Sequence, residues 1–341
     1  MEAFPIFFIG VSVCWYALRA SELLRHFTPP TRLQRLLGYI FMWWGLSTLK
    51  DLLLYLPGGD TKSMLSHIFF IDGCGALTFA LLIFELTMPG WVNCRRTVWM
   101  SMPFVAFLVI HIFFQAEWLS TLYTVFFVSF AWVIYLTGLY KGIAYSKAIR
   151  QNYSNLEGVD ISWMGYIFVA FFICQHVWWA IADDLTALGD TLYYILSLLC
   201  WHFTFCGINR LRPTRLPAPE PIVNTATTQK RYSNILAGRL EQLMDEDKLY
   251  LNPELTTSDI TARLNTNRTY LSEYLSTELH TTFYDYINRL RIERSVIPMM
   301  KSHPDVSLEY IAIQSGFKSI TTFRRAFRKI TGVLPGEYMR Q

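Results

Sequence analysis

The sequence predicts an all-α protein: a seven-transmembrane helix bundle followed by an all-helical polar domain. Three observations carry this reading. Apolar stretches of about bilayer-spanning length recur along the first two thirds of the chain. Charged residues make up only 16% of the 341 and mean hydropathy is +0.27, whereas about a quarter of residues are charged in soluble domains. The charge is also unevenly placed. Of 26 Asp+Glu and 30 Lys+Arg, 13 and 16 fall in the last 112 residues, which leaves the first 229 as an apolar domain.

The first apolar stretch, Phe4 to Leu18, has no Lys/Arg n-region and no small-residue cleavage site, so it reads as a retained membrane helix rather than a signal peptide. Six more follow, at residues 36–56, 64–88, 97–114, 118–140, 161–182 and 187–208. A buried core helix is the alternative for any one of them. Seven in series, holding most of the 11 Trp and 25 Phe, argue against it for the set.

Loop charges set an expected orientation. Arg19, Arg25, Arg32 and Arg35 against Glu22, then Arg95 and Arg96, then Lys141, Lys147 and Arg150 against Glu157 and Asp160, then Arg210, Arg212 and Arg215 fall on every second loop and the tail. The opposite loops hold Asp60 with Lys62, then Glu117, then Asp183 and Asp184. The positive-inside rule then puts the N-terminus outside a bacterial inner (plasma) membrane and the C-terminal domain in the cytoplasm. The lipid bilayer is thus one expected partner.

The six cysteines (Cys14, Cys74, Cys94, Cys174, Cys200, Cys206) all lie in the apolar part and form no CxxC pair, so they read as small buried hydrophobes. The chain has no Walker motif, no HExxH and no phosphorelay histidine box. An enzyme, a cofactor and a metal site are therefore not expected.

Residues 1–210 form the expected membrane domain and 211–229 a linker. Pro213, Pro217, Pro219 and Pro221 stiffen the linker and stop the seventh helix from continuing. Residues 230–341 form the polar domain. Its first helix, Lys230 to Lys248, carries an apolar stripe of Ile235, Leu236, Leu240 and Leu243 that either packs on the domain or pairs with a second copy in a homodimer. In LTTSDITARLN, Ile260 and Leu264 face inward, and Thr266 or Asn267 caps the helix Arg268 to Ser276. A linking helix follows from Phe283 to Met300, about 27 Å long at 1.5 Å per residue. Ser307 then caps a short helix, Gly316 ends it, Phe317 pins the turn, and Ile320 to Ile330 carries Phe323, Phe327 and Ile330 on one stripe. The other face of that last helix bears Lys318, Arg324, Arg325, Arg328 and Lys329 with no acid among them. Such a face suits a nucleic-acid phosphate track; a solvated basic surface is the plainer alternative.

Residues Ile311, Ala312, Gly316, Phe317, Phe323, Arg325, Phe327, Lys329, Gly332, Pro335 and Tyr338 resemble the second helix-turn-helix of AraC/XylS-type transcription regulators. YINRLRIERS resembles that family's linking helix, with Ser295 where Ala is usual. The resemblance covers about a quarter of the chain. It implies two helix-turn-helix units, about 255–276 and 307–330, set to reach successive major grooves roughly 34 Å apart on double-stranded DNA. The implied DNA-facing residues are Arg268, Thr269, Ser272 and Glu273 in the first unit, and Lys318, Ser319, Thr321, Thr322, Arg324, Arg325, Arg328 and Lys329 in the second. Glu273 departs from the family pattern: it either accepts from cytosine N4 or is repelled by phosphate.

Within the membrane domain, ionisable groups are costly unless paired. Asp51, Asp72 and Glu85 lie there, with His67, His111, His176 and His202. Asp72, flanked by Gly73 and Gly75, leads the candidates for sensing a small-molecule ligand, followed by His176 and His202 near Trp178, Trp179 and Trp201. The alternative is that these groups only satisfy one another between helices. The resulting expectation is a membrane-bound regulator of transcription. The rivals are a transporter or channel with a regulatory tail, and a membrane anchor with a protein-binding tail.

Overall fold

The computed structural model describes residues 3–25, 30–55, 61–181, 187–212, 226–303 and 305–340. The loop carboxylates Asp60, Asp183 and Asp184 and the linker prolines lie outside them. By contact the chain divides into two units, Met1–Tyr145 with Ile161–Pro213, and Ser146–Asp160 with Thr214–Gln341.

The first unit is built from helices α1 (Ala3–Arg25), α2 (Arg32–Lys50), α3 (Thr61–Gly73), α4 (Gly75–Thr87), α5 (Cys94–Phe114), most of α6 (Glu117–Asn152), α7 (Trp163–Ile181) and α8 (Ala187–Arg210). Among the described residues, five stretches are long and apolar enough to cross a membrane: Phe4–Arg25, Met64–Thr87, Cys94–Phe114, Glu117–Asn152 and Leu188–Arg210. This corrects the expected seven. The second expected span is α2 followed by a 3₁₀ turn over Asp51–Tyr55, and its apolar run is diluted by Arg32, Gln34, Arg35 and Lys50. For the sixth, the apolar helix among the described residues is Trp163–Val177, shorter than a bilayer-spanning stretch. The span Met64–Thr87 is two helices meeting at Cys74.

Aromatic rings fill this unit's interior. Trp201 is fully buried, stacks on Phe79 at 5.1 Å and meets Phe41, Trp44 and Phe171 edge-on or tilted. Phe70 stacks on Tyr123 at 4.5 Å, and the Tyr123 hydroxyl donates to the Phe70 carbonyl at 2.9 Å. A Cβ at Gly73 would collide with that hydroxyl, which gives the glycine a packing reason. On the outside, Phe113, Phe114, Ile143 and Tyr166 are each more than 70% exposed, an apolar surface that suits hydrocarbon better than water.

The second unit comprises α9 (Ala226–Glu246), α10 (Thr257–Leu264), α11 (Arg268–Thr277), α12 (Phe283–Arg291), α13 (Ile297–Ser302), α14 (Leu308–Gln314), α15 (Ile320–Thr331) and α16 (Pro335–Tyr338). The end of α6 and the loop after it, Ser146–Asp160, group with these helices. A π-helical turn, Ile292–Val296, joins α12 to α13, so the expected linking helix is one run with an extra residue wound into its middle. One apolar cluster joins Leu236, Leu240 and Met244 of α9 to Ile260, Leu264, Leu271, Leu275, Ile287 and Leu290. A second joins Ile292, Val296 and Met300 to Ile311, Phe317, Phe323 and Phe327. The run α12–α13 contributes to both clusters and binds the two helix pairs into one body. On α9, Leu236 and Leu240 are buried as the stripe predicts, Met244 extends it, and Ile235 is exposed.

The turn between α14 and α15 is set by Gly316. Its φ is +83°, and a Cβ there would sit 2.5 Å from the Leu251 carbonyl oxygen, so only glycine fits on both counts.

Candidate nucleic-acid interface

The short helix α15 is held at both ends by its own sequence. Ser319 caps it, with its Oγ accepting from the Thr322 N–H at 3.3 Å, and Gly332 closes it at φ +83°. Phe323, Ala326 and Phe327 sink into the second cluster. The opposite face leaves Thr321, Arg324, Arg325, Arg328 and Lys329 exposed. Thr322 differs from its neighbours: it is buried and serves the start of the helix. Lys329 pairs with Asp285 at 2.7 Å, and Lys318 is half-buried in an ion pair with Glu254. The outer face of α15 is thus a row of cations without an acid of its own.

Helix α11 starts at Asn267, whose Oδ1 accepts from the Tyr270 N–H at 2.9 Å. Leu271 and Leu275 are buried, while Arg268, Thr269, Ser272 and Glu273 are half-buried. This helix offers one cation and one acid where α15 offers four exposed cations.

Sequence reasoning missed a heavily bonded side chain among the described residues of the unit. Arg291 is 1% exposed. Its Nε donates to the Tyr250 carbonyl at 2.7 Å and its Nη2 to the Asn252 carbonyl at 2.8 Å. The remaining N–H groups reach the Ser154 carbonyl, the Ser154 hydroxyl and Asn288 Oδ1, each at 3.2 Å. All five donors of the guanidinium are used, none on a carboxylate. Burial pushes its pKa down to about 10. The Ser154 N–H donates to the Leu255 carbonyl at 3.1 Å, and Thr257 Oγ1 donates to Asn152 Oδ1 at 3.0 Å. The chain just after α6 is therefore stitched to the start of α10 through Arg291. The available signal was Arg291's place four residues after Ile287 on the buried stripe of α12.

The membrane candidates acquire partners that the sequence did not offer. Asp72 Oδ1 accepts from the Ser47 hydroxyl at 3.0 Å, and Lys50 Nζ lies 2.6 Å from both the Asp72 and Asp51 carboxylates. The Tyr194 hydroxyl donates to Asp51 at 2.8 Å. Glu85 pairs with Arg32 at 2.8 Å and accepts from the Gly90 and Val92 N–H groups. His176 Nδ1 lies 2.8 Å from the Phe172 carbonyl, and its ring sits among Phe172 and Trp132. His202 is exposed, beside Cys206 and Trp15. Asp72, His176 and His202 thus have three different sets of partners. Among the described residues, no group of three or more His, Cys, Asp or Glu is placed to hold a metal ion.

A family described as "Helix-turn-helix domain" matches residues 260–341. It is one helix-turn-helix region, which corrects the expectation of two units; the shared run α12–α13 gives the physical reason, since neither helix pair has a core separate from it. The uncharacterized HTH-type transcriptional regulator YtdP of Bacillus subtilis is 31% identical over 116 residues, 34% of this chain and 14% of that protein. The uncharacterized HTH-type transcriptional regulator SACOL0084 of Staphylococcus aureus is 26% identical over 100 residues, 29% of this chain and 13% of that protein. The chain thus spans about one seventh of the length of the curated relatives it matches. No solved structure matches it. The C-terminal domain is related to those of bacterial HTH-type transcriptional regulators, a class of binding proteins rather than enzymes.

Proposed function

We propose that the chain is a membrane-anchored, AraC/XylS-type transcription regulator that binds double-stranded DNA sequence-specifically through its C-terminal domain. The observation that carries this reading is the outer face of α15, where Arg324, Arg325, Arg328 and Lys329 stand exposed opposite the buried Phe323 and Phe327. Arginines on a rigid, capped helix can reach guanine edges in a major groove, and the adjacent cations can meet phosphates. Helix α11, with Arg268, Thr269, Ser272 and Glu273, contributes the weaker contacts.

DNA binding requires the domain to lie in the cytoplasm. The cations at and just beyond the end of α8, Arg210 and Arg212, favour the same side. Five crossings, like any odd number, leave the N-terminus outside. A reporter active only in the cytoplasm should work when fused after Arg212 and be silent at the N-terminus; the opposite pattern excludes this orientation.

Within the apolar unit, Asp72 is the proposed sensing residue, because it shares Lys50 with Asp51 and one cation between two carboxylates can favour either. D72N keeps the size and removes the charge. The expected result is normal protein abundance with promoter output locked high or low under every stimulus. Output that falls only in proportion to protein level would mean that Asp72 braces the bundle and senses nothing.

A further inference from the structure

We propose that the second unit binds the phosphate groups of a soluble, nucleotide-sized molecule in a cleft of about 650 Å³ between the end of α6, one face of α12 and the outer half of α15. Small-molecule sites typically measure about 300–1,000 Å³, so the volume suits a nucleotide better than a lone ion. This reading goes beyond DNA binding and does not depend on it.

The charge of the walls selects an anion. Lys147, Arg150, Arg289, Arg325 and Lys329 line the cleft against one carboxylate, Asp285, which is already paired with Lys329 at 2.7 Å. Among the described residues, Lys147, Arg289 and Arg325 take part in none of the ion pairs. A solvated basic surface would share that feature, so charge alone does not decide.

Asn288 decides it. The residue lines the cleft, is 2% exposed, and its amide Nδ2 has no hydrogen-bond partner. The amide cannot be turned round to remove the problem. Its Oδ1 accepts from Arg291 at 3.2 Å, and a guanidinium can only donate. A buried NH₂ without an acceptor is rare in folded proteins and calls for one. Phosphate oxygens supply acceptors only, and the neighbouring guanidinium and ammonium groups would neutralise them through charge-assisted hydrogen bonds. Three of the cations, Lys147, Arg150 and Arg289, lie on neither α11 nor α15, so the cleft is separable from the face proposed to read DNA.

Sodium tripolyphosphate is the probe, titrated calorimetrically into the full chain in detergent micelles. Saturable binding at one site per chain is expected. The double variant K147Q/R289Q removes two charge-assisted hydrogen-bonding groups and should weaken binding by about tenfold or more, with duplex DNA affinity unchanged. N288D keeps an acceptor for Arg291 but sets a carboxylate in the wall, and it should abolish tripolyphosphate binding. The proposal is overturned if no saturable binding occurs, or if both variants bind as the wild type does. It is equally overturned if K147Q/R289Q weakens duplex binding as much as tripolyphosphate binding, because the cleft would then be a stretch of the DNA backbone track.

Discussion

Replacing Arg324, Arg325, Arg328 and Lys329 together by Ala is expected to abolish sequence-specific DNA binding and leave the domain folded. Each arginine that makes a bidentate base contact is worth about 1–3 kcal/mol of discrimination. Each phosphate left without its cation should lower the slope of log K against log salt by about 0.9. Four such contacts amount to about 4–12 kcal/mol, comparable with the roughly 4–10 kcal/mol that separates specific from non-specific DNA binding. The fold should survive because the four side chains are exposed and the buried face of α15, Phe323, Ala326 and Phe327, is untouched. The one ion pair removed, Lys329 with Asp285, is exposed on the Lys329 side and contributes little. Anisotropy titrations at several salt concentrations measure both quantities, and a quadruple variant that still discriminates sequences would move the DNA-reading surface away from α15.

Arg291→Met should cost about 1–3 kcal/mol for each buried acceptor it leaves without a donor. Methionine fills much of the arginine stem but donates nothing. The Tyr250, Asn252 and Ser154 carbonyls would then be buried without the donors that now satisfy them. Lysine is no remedy, since a single ammonium cannot place five donors in a plane. Hydrogen exchange should report the loss first at residues 152–157 and 250–256, where the Ser154–Leu255 and Asn152–Thr257 bonds depend on the same clamp. S154A removes only the hydroxyl contact and should cost about 0.5–1.5 kcal/mol. Exchange protection unchanged in R291M would show that the guanidinium is not what fixes this segment.

The helical class was legible because two periodicities are loud in the chain: bilayer-length apolar runs at one end and capped amphipathic helices at the other. The caps at Ser307 and Asn267 and the glycine at 316 occur where their chemistry predicts. The number of spans was not legible. Residues 36–56 are apolar on average, yet the helix that forms there begins at Arg32, carries Arg35 and ends at Lys50. Asp72 could be read as a group in need of a partner, but its partner could not. Lys50 lies 22 residues earlier and meets it only once the helices pack. Arg291 escaped for the opposite reason. A charged residue is assigned to the surface by default, and a buried guanidinium satisfied by backbone carbonyls leaves no complementary acid in the sequence to betray it. The cleft beside Asn288 needed the fold as well, because its cations come from segments more than a hundred residues apart.

The most direct test is a nuclease footprint by the full chain in membrane vesicles, on duplexes selected from a random library, with the quadruple α15 variant in parallel. A membrane-anchored, sequence-specific DNA-binding regulator should protect one discrete sequence, and the variant should protect none. Vesicles that retain every duplex alike, or that retain none, would contradict it.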